Sequence, residues 1–317
     1  MLYVSVGIEE QLEEVIELLE WESQKNAVAV MVHGFGGMGK TTLDDAIFAR
    51  LYIEGCKYSM VRLFEDINAT PNIIELQKCI LKDLMLGSKE EEQRSVIENI
   101  RTFEDGRREI GRMLEKEVAF IYIDNVLGQD PLEGLLPRDM GKAKRCRLLI
   151  TTRDKEVRKG CSMDNKSVKL YDVKYLPDTE AMNLLKEELH YGKKDDREKL
   201  SSDQLQHIVK LCGGIPKLLN VLARYIRFEE GGQQKSFHLL MKDQKNWNLR
   251  IDAGYLFTYV RLPESVKDPF LDICSFFNGD DWDKVTNIVG DSNMDVLEKR
   301  GLVNKEKDMK LTVHDVI

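Results

Sequence analysis

A glycine-rich segment, HGFGGMGKTT over residues 33–42, carries the residue types with the clearest chemistry in this sequence. Gly34 and Gly39, followed by Lys40 and Thr41, satisfy the pattern GxxxxGK[ST] in every position. Glycines let successive backbone N–H groups turn toward a phosphate, a lysine neutralises the outer phosphates, and a threonine hydroxyl can bind magnesium. The segment therefore predicts a loop that binds a nucleoside di- or triphosphate.

The surroundings of this loop support the prediction. An apolar run from Val28 to Val32 precedes it, and a helical pattern follows it. A helix that starts at such a loop directs the positive end of its dipole toward the ligand. The alternative, a glycine-rich turn without a ligand, is disfavoured because strand, loop and helix follow in the required order. The residues predicted to contact the nucleotide here are Gly34, Gly36, Gly37, Met38, Gly39, Lys40, Thr41 and Thr42.

The stretch AFIYIDNV, residues 119–126, is an apolar run that ends at an acid, Asp124. In sheets that carry a phosphate loop, a second strand ends in an acid that holds the magnesium shell. We therefore predict that Asp124 and Thr41 lie on the metal side of the site. The alternative role for an aspartate in this position is to cap the next turn or helix.

Asn125 stands where a second acid would be expected for efficient hydrolysis. A carboxylate can orient and deprotonate the attacking water, whereas an amide can only hydrogen-bond to it. Asp124 and Asn125 are therefore the candidate catalytic pair, and the pair predicts slow turnover. The alternative, in which Glu65 or Asp66 supplies the base, stays open at this point.

The elements that would position these residues form an alternating pattern of apolar strands and amphipathic helices. Strands buried on both faces and separated by helices indicate a parallel α/β sheet. We predict a P-loop NTPase sheet flanked by helices over residues 1–176. Its strands are predicted at Val28–Val32, Met60–Phe64, Phe120–Ile123, Leu148–Thr151 and Val168–Val173.

The pattern changes after residue 176. Residues 177–250 contain successive helical patterns punctuated by Pro177 and the turn CGGIP, which predicts a small helical bundle. Residues 251–317 contain helices followed by two short strand patterns across a charged turn, which predicts a winged-helix domain.

The composition favours a folded chain without general affinity for nucleic acid or membranes. Its 317 residues are 42% hydrophobic and 32% charged, and the formal net charge is −8. Nucleic acids and anionic lipids are bound by clustered Lys and Arg, so an acidic balance argues against both. Residues 251–317 contain eight Lys and Arg against 13 Asp and Glu, a net of −5 (8 − 13), which also disfavours DNA binding by that segment.

Cysteine usage and targeting patterns predict a cytoplasmic protein. The six cysteines are scattered and include no CxxC pair, so neither a zinc site nor a disulfide framework is predicted. No uninterrupted apolar run approaches the ~18 residues of a membrane span, and the first residues lack the parts of an export signal. The chain stops at LTVHDVI within a strand-like or helix-starting pattern, which predicts a piece of a longer protein.

Six motifs in order resemble those of one known family. They are HGFGGMGKTT, FIYIDNV, RLLITTRD, YDVKYLPDTEAMNLL, CGGIPKLL and LTVHDVI. Together they look like the nucleotide-binding module of plant NLR disease-resistance proteins, called NB-ARC, in the STAND class of P-loop NTPases. The resemblance covers nearly the whole chain, and the ordered set is specific although each later motif alone is weak.

The resemblance implies roles for residues that patterning alone would leave on the surface. Arg153 matches an arginine that contacts the γ-phosphate, a task suited to a guanidinium. Pro216 matches the proline of the family's GLPL turn, which packs against adenine, and Lys217 follows it as a further predicted contact. The sequence reads GIPK rather than GLPL, so this match is partial, and a proline at a helix N-terminus is also the ordinary explanation.

Both ends of the chain carry further implied contacts. Val6 and Gly7 resemble the segment that lines the adenine side, although Ile8 replaces a frequent arginine. His314 and Asp315 match the family's MHD tripeptide, with valine in place of methionine, and the histidine is implied to contact the β-phosphate of ADP. A His-Asp pair near a chain end would otherwise be an ordinary surface feature.

The implied function is a molecular switch that rests with ADP and opens when ATP with Mg²⁺ replaces it. The implied partners are an adenine nucleotide, N-terminal signalling and C-terminal repeat domains of a parent protein, and like protomers in an oligomer formed on activation. A first alternative is a continuously cycling AAA+-type ATPase, which Asn125 disfavours. A second is a DNA-binding initiator-type ATPase, which the charge of residues 251–317 disfavours.

Overall fold

The protein is represented by a computed structural model that divides into two compact units. Unit one contains residues Met1–Phe35 and Lys40–Lys174, and unit two contains Gly36–Gly39 and Tyr175–Ile317. The structure describes residues 7–20, 27–53, 59–63, 72–143, 145–164, 166–190, 199–228, 232–243, 258–306 and 308–313.

Unit one is built on a five-stranded sheet in which every neighbouring pair is parallel. The strands are β1 (Val28–His33), β2 (Ser59–Leu63), β3 (Ala119–Val126), β4 (Cys146–Thr152) and β5 (Val168–Asp172). Their spatial order is β2-β3-β4-β1-β5. The predicted α/β class with a parallel sheet is confirmed, and each of the five predicted apolar runs corresponds to a strand.

Helices surround the sheet because the strands β1, β3 and β4 are almost wholly buried and need cover on both faces. They are α1 (Glu9–Leu18), α2 (Lys40–Ile53), α3 (Ile73–Leu84), α4 (Glu90–Glu98), α5 (Phe103–Lys116) and α6 (Asp130–Leu135). Short 3₁₀ turns lie at Met140–Lys142 and Lys155–Cys161. Leu76, Ile80 and Ile110 of the helices pack with Ile121 and Leu148 of the sheet in one core.

The strand order places a topological switch point beside the phosphate loop. From β1 the chain crosses to β2 on one side of the sheet, returns through β3 and β4, and then crosses to β5 on the other side of β1. In open parallel sheets, ligands bind at the carboxyl ends of the strands at such a point. The loop after β1, residues 34–39, begins at this edge.

Unit two is mainly helical. Its helices are α7 (Asp178–His190), α8 (Ser202–Cys212), α9 (Pro216–Phe228), α10 (Gly232–Asp243), α11 (Glu264–Asp272), α12 (Trp282–Val289) and α13 (Asp291–Lys299), and α11 continues into a π-helical segment, Ile273–Phe277. Two short antiparallel strands follow, β6 (Val303–Lys305) and β7 (Leu311–Val313). The described residues of this unit form one hydrophobic core within α7–α10 and another that joins α11–α13 to the strands.

The helix α9 links the two cores of unit two. Most of its buried side chains, such as Leu222 and Ile226, pack in the core of α7–α10, whereas Val221 packs in the other core. The Arg224 guanidinium donates a hydrogen bond to the carbonyl oxygen of Glu298 at 3.1 Å, which joins α9 to α13. In the part of the chain that the structure describes, no helix is long and apolar enough to cross a bilayer.

Candidate functional site

The phosphate-loop sequence occupies the turn between the end of β1 at His33 and the start of α2 at Lys40. Gly37 and Gly39 have φ values of 79° and 96°, a region that residues with a Cβ rarely enter. Gly37 and Gly39 therefore stand where the backbone conformation favours glycine. Thr41 and Thr42 are solvent-exposed in the first turn of α2.

Lys40 is buried, with 9% of its surface exposed, and its ammonium group binds the loop itself. Its Nζ donates hydrogen bonds to the carbonyl oxygens of Gly34 at 2.8 Å and Phe35 at 3.0 Å. The pKa of Lys40 is lowered to about 8, chiefly by burial and also by the nearby positive charge of Arg153, while Asp124 opposes both effects. Two cations and one anion therefore lie close together in unit one.

Asp124 and Asn125 are both tied to Thr151 on the neighbouring strand β4. The Thr151 hydroxyl donates to Asp124 Oδ1, and the backbone N–H of Asn125 donates to Thr151 Oγ1 at 2.8 Å. The β3–β4 register shifts between Ile123 and Val126, and Asn125 has a φ of 51°. The strand β3 thus continues to Val126, and the irregularity in its pairing with β4 falls at Asp124 and Asn125, the two candidate catalytic residues.

Arg153 follows β4 directly and its main chain is held on both sides. The backbone N–H of Asp154 donates to Thr152 Oγ1 at 2.9 Å, and the carbonyl oxygen of Arg153 lies 3.2 Å from His33 Nε2. The Asp154 side chain in turn caps the following 3₁₀ turn by accepting from the backbone N–H of Glu156. Arg153 is half-buried, and its charge lies near enough to Lys40 to lower the pKa of the lysine.

Sequence reasoning missed a buried ion pair that interacts electrostatically with Asp124. Asp44 lies one helical turn after Lys40, is 1% exposed, and pairs with Arg62 of β2 at 2.9 Å. The Arg62 guanidinium also lies 5.2 Å from the centre of the Tyr122 ring. Burial raises the pKa of Asp44 well above its usual range, while Arg62 lowers it and Asp124 raises it. An acid among the buried positions of α2 was the sequence signal that could have revealed the pair.

The sequence also did not reveal two contacts to Asp172, at the end of β5, from the end of β1 and from the segment after β4. His33 Nδ1 lies 2.7 Å from Asp172 Oδ1, while Lys155 Nζ lies 2.9 Å from the same carboxylate oxygen. The Lys155 contact, followed by that of His33, holds the pKa of Asp172 below its ordinary value. A histidine at the end of an apolar strand, with an acid at the end of another, was the available signal.

The remaining loop residues, Gly36–Gly39, group with unit two. There the backbone N–H of Lys217 donates to the carbonyl oxygen of Gly37 at 3.2 Å. Pro216 is the first residue of α9, and a Cβ on Gly39 would lie 3.9 Å from its Cγ. Met38 is buried, with 5% exposure. The structure therefore brings the middle of the loop together with the GIPK turn within unit two.

Lys217 itself lies in an environment that disfavours its charge. The pKa of Lys217 is lowered to about 8, chiefly by burial and also by the charge of Arg224, whereas Glu188 and Glu306 oppose these effects. The backbone immediately before it is held by Gly214, whose carbonyl oxygen accepts from the N–H of Leu176 at 2.9 Å.

Three of the predicted nucleotide contacts, Val6, Gly7 and His314, lie near the ends of the chain. Val6 and His314 lie outside the described residues, as does Asp315. Gly7 lies at the turn before α1 with a φ of 79°, a conformation suited to glycine.

The residues of unit one fit an anionic ligand and a divalent cation. Lys40 and Arg153 repel each other, and the negative charge of a phosphate group would relieve that repulsion. A carboxylate that binds one hydroxyl through Oδ1, as Asp124 does, has further oxygen lone pairs for a hard cation such as Mg²⁺. Thr41 would supply the hydroxyl ligand, and the N-terminus of α2 would face the phosphates.

Comparison with known proteins adds independent information. The family model described as the NB-ARC domain matches residues 8–195. Disease resistance protein RUN1 from Vitis rotundifolia is 30% identical over 285 residues, which are 90% of this chain and 20% of the relative. TMV resistance protein N from Nicotiana glutinosa is 26% identical over 324 residues, which cover 98% of this chain and 26% of that protein. The chain thus spans about a quarter or less of the length of these relatives.

A solved structure resembles the fold of the whole chain. It is the crystal structure of a Signal Transduction ATPase with Numerous Domains (STAND) protein with a tetratricopeptide repeat sensor from Pyrococcus horikoshii. The TM-score is 0.64 at 19% identity, and the match covers 99% of this chain and 42% of the other. At that identity the likeness concerns the fold alone.

Proposed function

Because the chain belongs to the NB-ARC family, we propose that it is the adenine-nucleotide switch module of an intracellular plant immune receptor. The family is one of nucleotide-binding P-loop domains, and the curated relatives named above are resistance proteins of plants. The observation that carries the proposal is the complete phosphate loop at the carboxyl edge of a parallel sheet, with Lys40 buried against its carbonyl oxygens.

The nucleotide in the resting state is ADP, and ATP with Mg²⁺ opens the module. A ligand shifts a two-state equilibrium only by the difference between its affinities for the two states. ADP must therefore bind the closed form better, and ATP the open form better. Thr41 and Asp124 would hold the magnesium, Arg153 the γ-phosphate, and His314 the β-phosphate of ADP.

The proposal also assigns a domain to each part of the chain. Residues 1–176 form the nucleotide-binding domain, 177–250 the helical domain and 251–317 the winged-helix domain. Val6, Gly7, Pro216 and Lys217 contribute to the adenine side. In the parent protein, N-terminal signalling and C-terminal repeat domains flank the module, like protomers assemble on activation, and the receptor resides in the cytoplasm without binding nucleic acid.

Slow hydrolysis is the feature that separates a switch from a cycling ATPase. Purified protein should be mixed with excess Mg²⁺ and ATP, and released phosphate and bound nucleotide should be followed in parallel. We expect bound ADP to exchange for ATP, with turnover well below about 1 s⁻¹, the lower end for ordinary enzymes. Sustained turnover at or above that rate, with no lasting ATP-bound species, would contradict the switch and favour a cycling AAA+-type enzyme.

A further inference from the structure

The His33 ring lies between two hydrogen-bond acceptors at the carboxyl edge of the sheet. Its Nδ1 is 2.7 Å from Asp172 Oδ1, and its Nε2 is 3.2 Å from the main-chain carbonyl oxygen of Arg153. The strand register pairs His33 with Thr152 of β4 on one side and with Asp172 of β5 on the other. One side chain therefore spans the ends of three adjacent strands.

Neither partner of the ring can donate a proton to it. A carbonyl oxygen only accepts, and Asp172 stays ionised because Lys155 and His33 lower the pKa of its carboxyl group. A neutral imidazole has one N–H and satisfies only one of the two acceptors, whereas an imidazolium has two and satisfies both. Asp172 at the end of β5 is the charged group in contact with the ring, Lys155 contacts the same carboxylate oxygen, and Arg153 and Asp154 directly follow β4.

We propose that His33 is a positioning residue for Arg153. In its doubly protonated form the ring holds the Arg153 main chain and thereby directs the arginine side chain at the terminal phosphate of ATP. This inference rests on the proposed function, in which Arg153 contacts the γ-phosphate. When the ring is neutral, the tautomer with the proton on Nδ1 keeps the charge-assisted bond to Asp172 and releases the Arg153 carbonyl. The preference for ATP over ADP is therefore greater when His33 is protonated.

Two substitutions separate the two contacts of the ring. The amide nitrogen of asparagine lies near the position of imidazole Nδ1, and that of glutamine lies near the position of Nε2. His33→Gln therefore keeps a donor for Arg153, whereas His33→Asn keeps a donor for Asp172. Both amides are neutral and neither titrates, so the variants are matched in charge and differ in the contact they retain.

The experiment measures the affinities of wild type and both variants for ATP and for ADP by titration calorimetry. The pH should run from about 5.5 to 8, the range in which imidazole side chains ordinarily change charge. Relative to His33→Gln, the wild-type ratio of ATP to ADP affinity should fall roughly three- to tenfold as pH rises. The ratio for His33→Asn should be low at every pH. The γ-phosphate also titrates near pH ~6, and the comparison with His33→Gln removes that contribution.

Several outcomes would overturn the proposal. Equal ratios for the two variants, or parallel pH profiles for wild type and His33→Gln, would show that His33 does not act through Arg153. Failure of the proposed function would look different, because wild type would then bind no ADP at any pH. Melting without nucleotide shows whether each variant folds. Should either fail to fold, Asp172→Asn decides. Its amide can donate to Nδ1, so a neutral ring can keep its proton on Nε2 for the Arg153 carbonyl, and the ratio should no longer fall as pH rises. A ratio that still falls as steeply as in wild type contradicts the proposal.

Discussion

Asn125 illustrates how a single residue combines a backbone and a chemical role. Its φ of 51° lies in the left-handed region, which asparagine and aspartate tolerate better than most residues with a Cβ. Its backbone N–H binds Thr151 Oγ1, and the Thr151 hydroxyl binds Asp124. The local conformation is therefore compatible with a carboxylate at position 125.

The first prediction follows from that compatibility. Asn125→Asp should keep the backbone and add a general base, so ATP hydrolysis should rise by at least about tenfold. Phosphate release under single-turnover conditions measures the effect. Replacing Asp124 by Ala in the same variant is the control, because loss of the magnesium ligand should return hydrolysis to background. An Asn125→Asp protein that hydrolyses ATP no faster than wild type would count against this role for Asn125.

The depressed pKa of Lys40 gives a second prediction at this scale. The folded value of about 8 lies below the ordinary value of 10.5, so the group loses its charge in the free protein at lower pH than in the unfolded chain. Between these two pH values the unfolded chain binds more protons at Lys40 than the folded protein does. The free energy of unfolding therefore rises as pH increases from about 8 toward 10.5. Phosphate binding requires the charged form, so ADP affinity should fall roughly tenfold between pH ~7 and ~9.

Calorimetry in two buffers of different ionisation enthalpy tests whether ADP binding is coupled to protonation of Lys40. At pH ~8, ADP binding should take up about half a proton per chain, because Lys40 is then half-protonated before binding. In Lys40→Arg the guanidinium stays charged and the uptake assigned to Lys40 should disappear. Equal proton uptake by both proteins would assign the linkage to another group, such as Lys217.

At the scale of elements, the carboxyl edge of the sheet gathers the ends of β1, β3, β4 and β5. The sequence could predict these strands because residues buried on both faces leave continuous apolar runs. It could also predict the loop, since each position of the motif has a defined task. It could not predict the contacts of His33 with β5 or of Asp44 with β2, because strand order and register determine which side chains meet, and neither is encoded locally.

The turn before α9 provides a third prediction. Gly213 and Gly214 both have positive φ, 56° and 75°, but a Cβ on Gly214 would lie 2.4 Å from the Leu176 carbonyl oxygen whereas one on Gly213 meets nothing within 4 Å. Gly213→Ala should therefore cost about 1 kcal/mol, for backbone strain alone. Gly214→Ala should cost at least about twice as much, because the turn must also move.

Thermal unfolding measures the difference between the two variants. A loss of ~1 kcal/mol lowers the melting temperature by roughly 2–4 °C in a unit of this size. Gly213→Ala is the matched control, since the two substitutions are chemically identical and adjacent. Equal shifts would show that the turn accommodates the Cβ and that Gly214 is not required by its contact with Leu176.

At the scale of the whole molecule, the chain divides into two units, and apart from Gly36–Gly39, which group with unit two, the boundary lies between Lys174 and Tyr175. The sequence placed its first boundary two residues later, at 176, because Pro177 opens the helical region. Among the described residues of unit two, one core lies within α7–α10 and another lies with α11–α13, which is compatible with a helical and a winged-helix part, although α9 contributes to both. The division of residues 177–317 at position 250 remains a prediction, since residues 244–257 lie outside the described structure.

The nucleotide that accompanies the purified protein tests the central claim most directly. Protein purified without added nucleotide should be denatured, and the released small molecules should be identified and counted by anion-exchange chromatography. We predict close to one ADP per chain for wild type and little or none for Lys40→Ala, with Lys78→Ala, a lysine paired with Glu75 on α3, as the matched control that retains ADP. Wild-type protein free of nucleotide that also fails to bind added ADP, or full ADP occupancy in Lys40→Ala, would contradict the account.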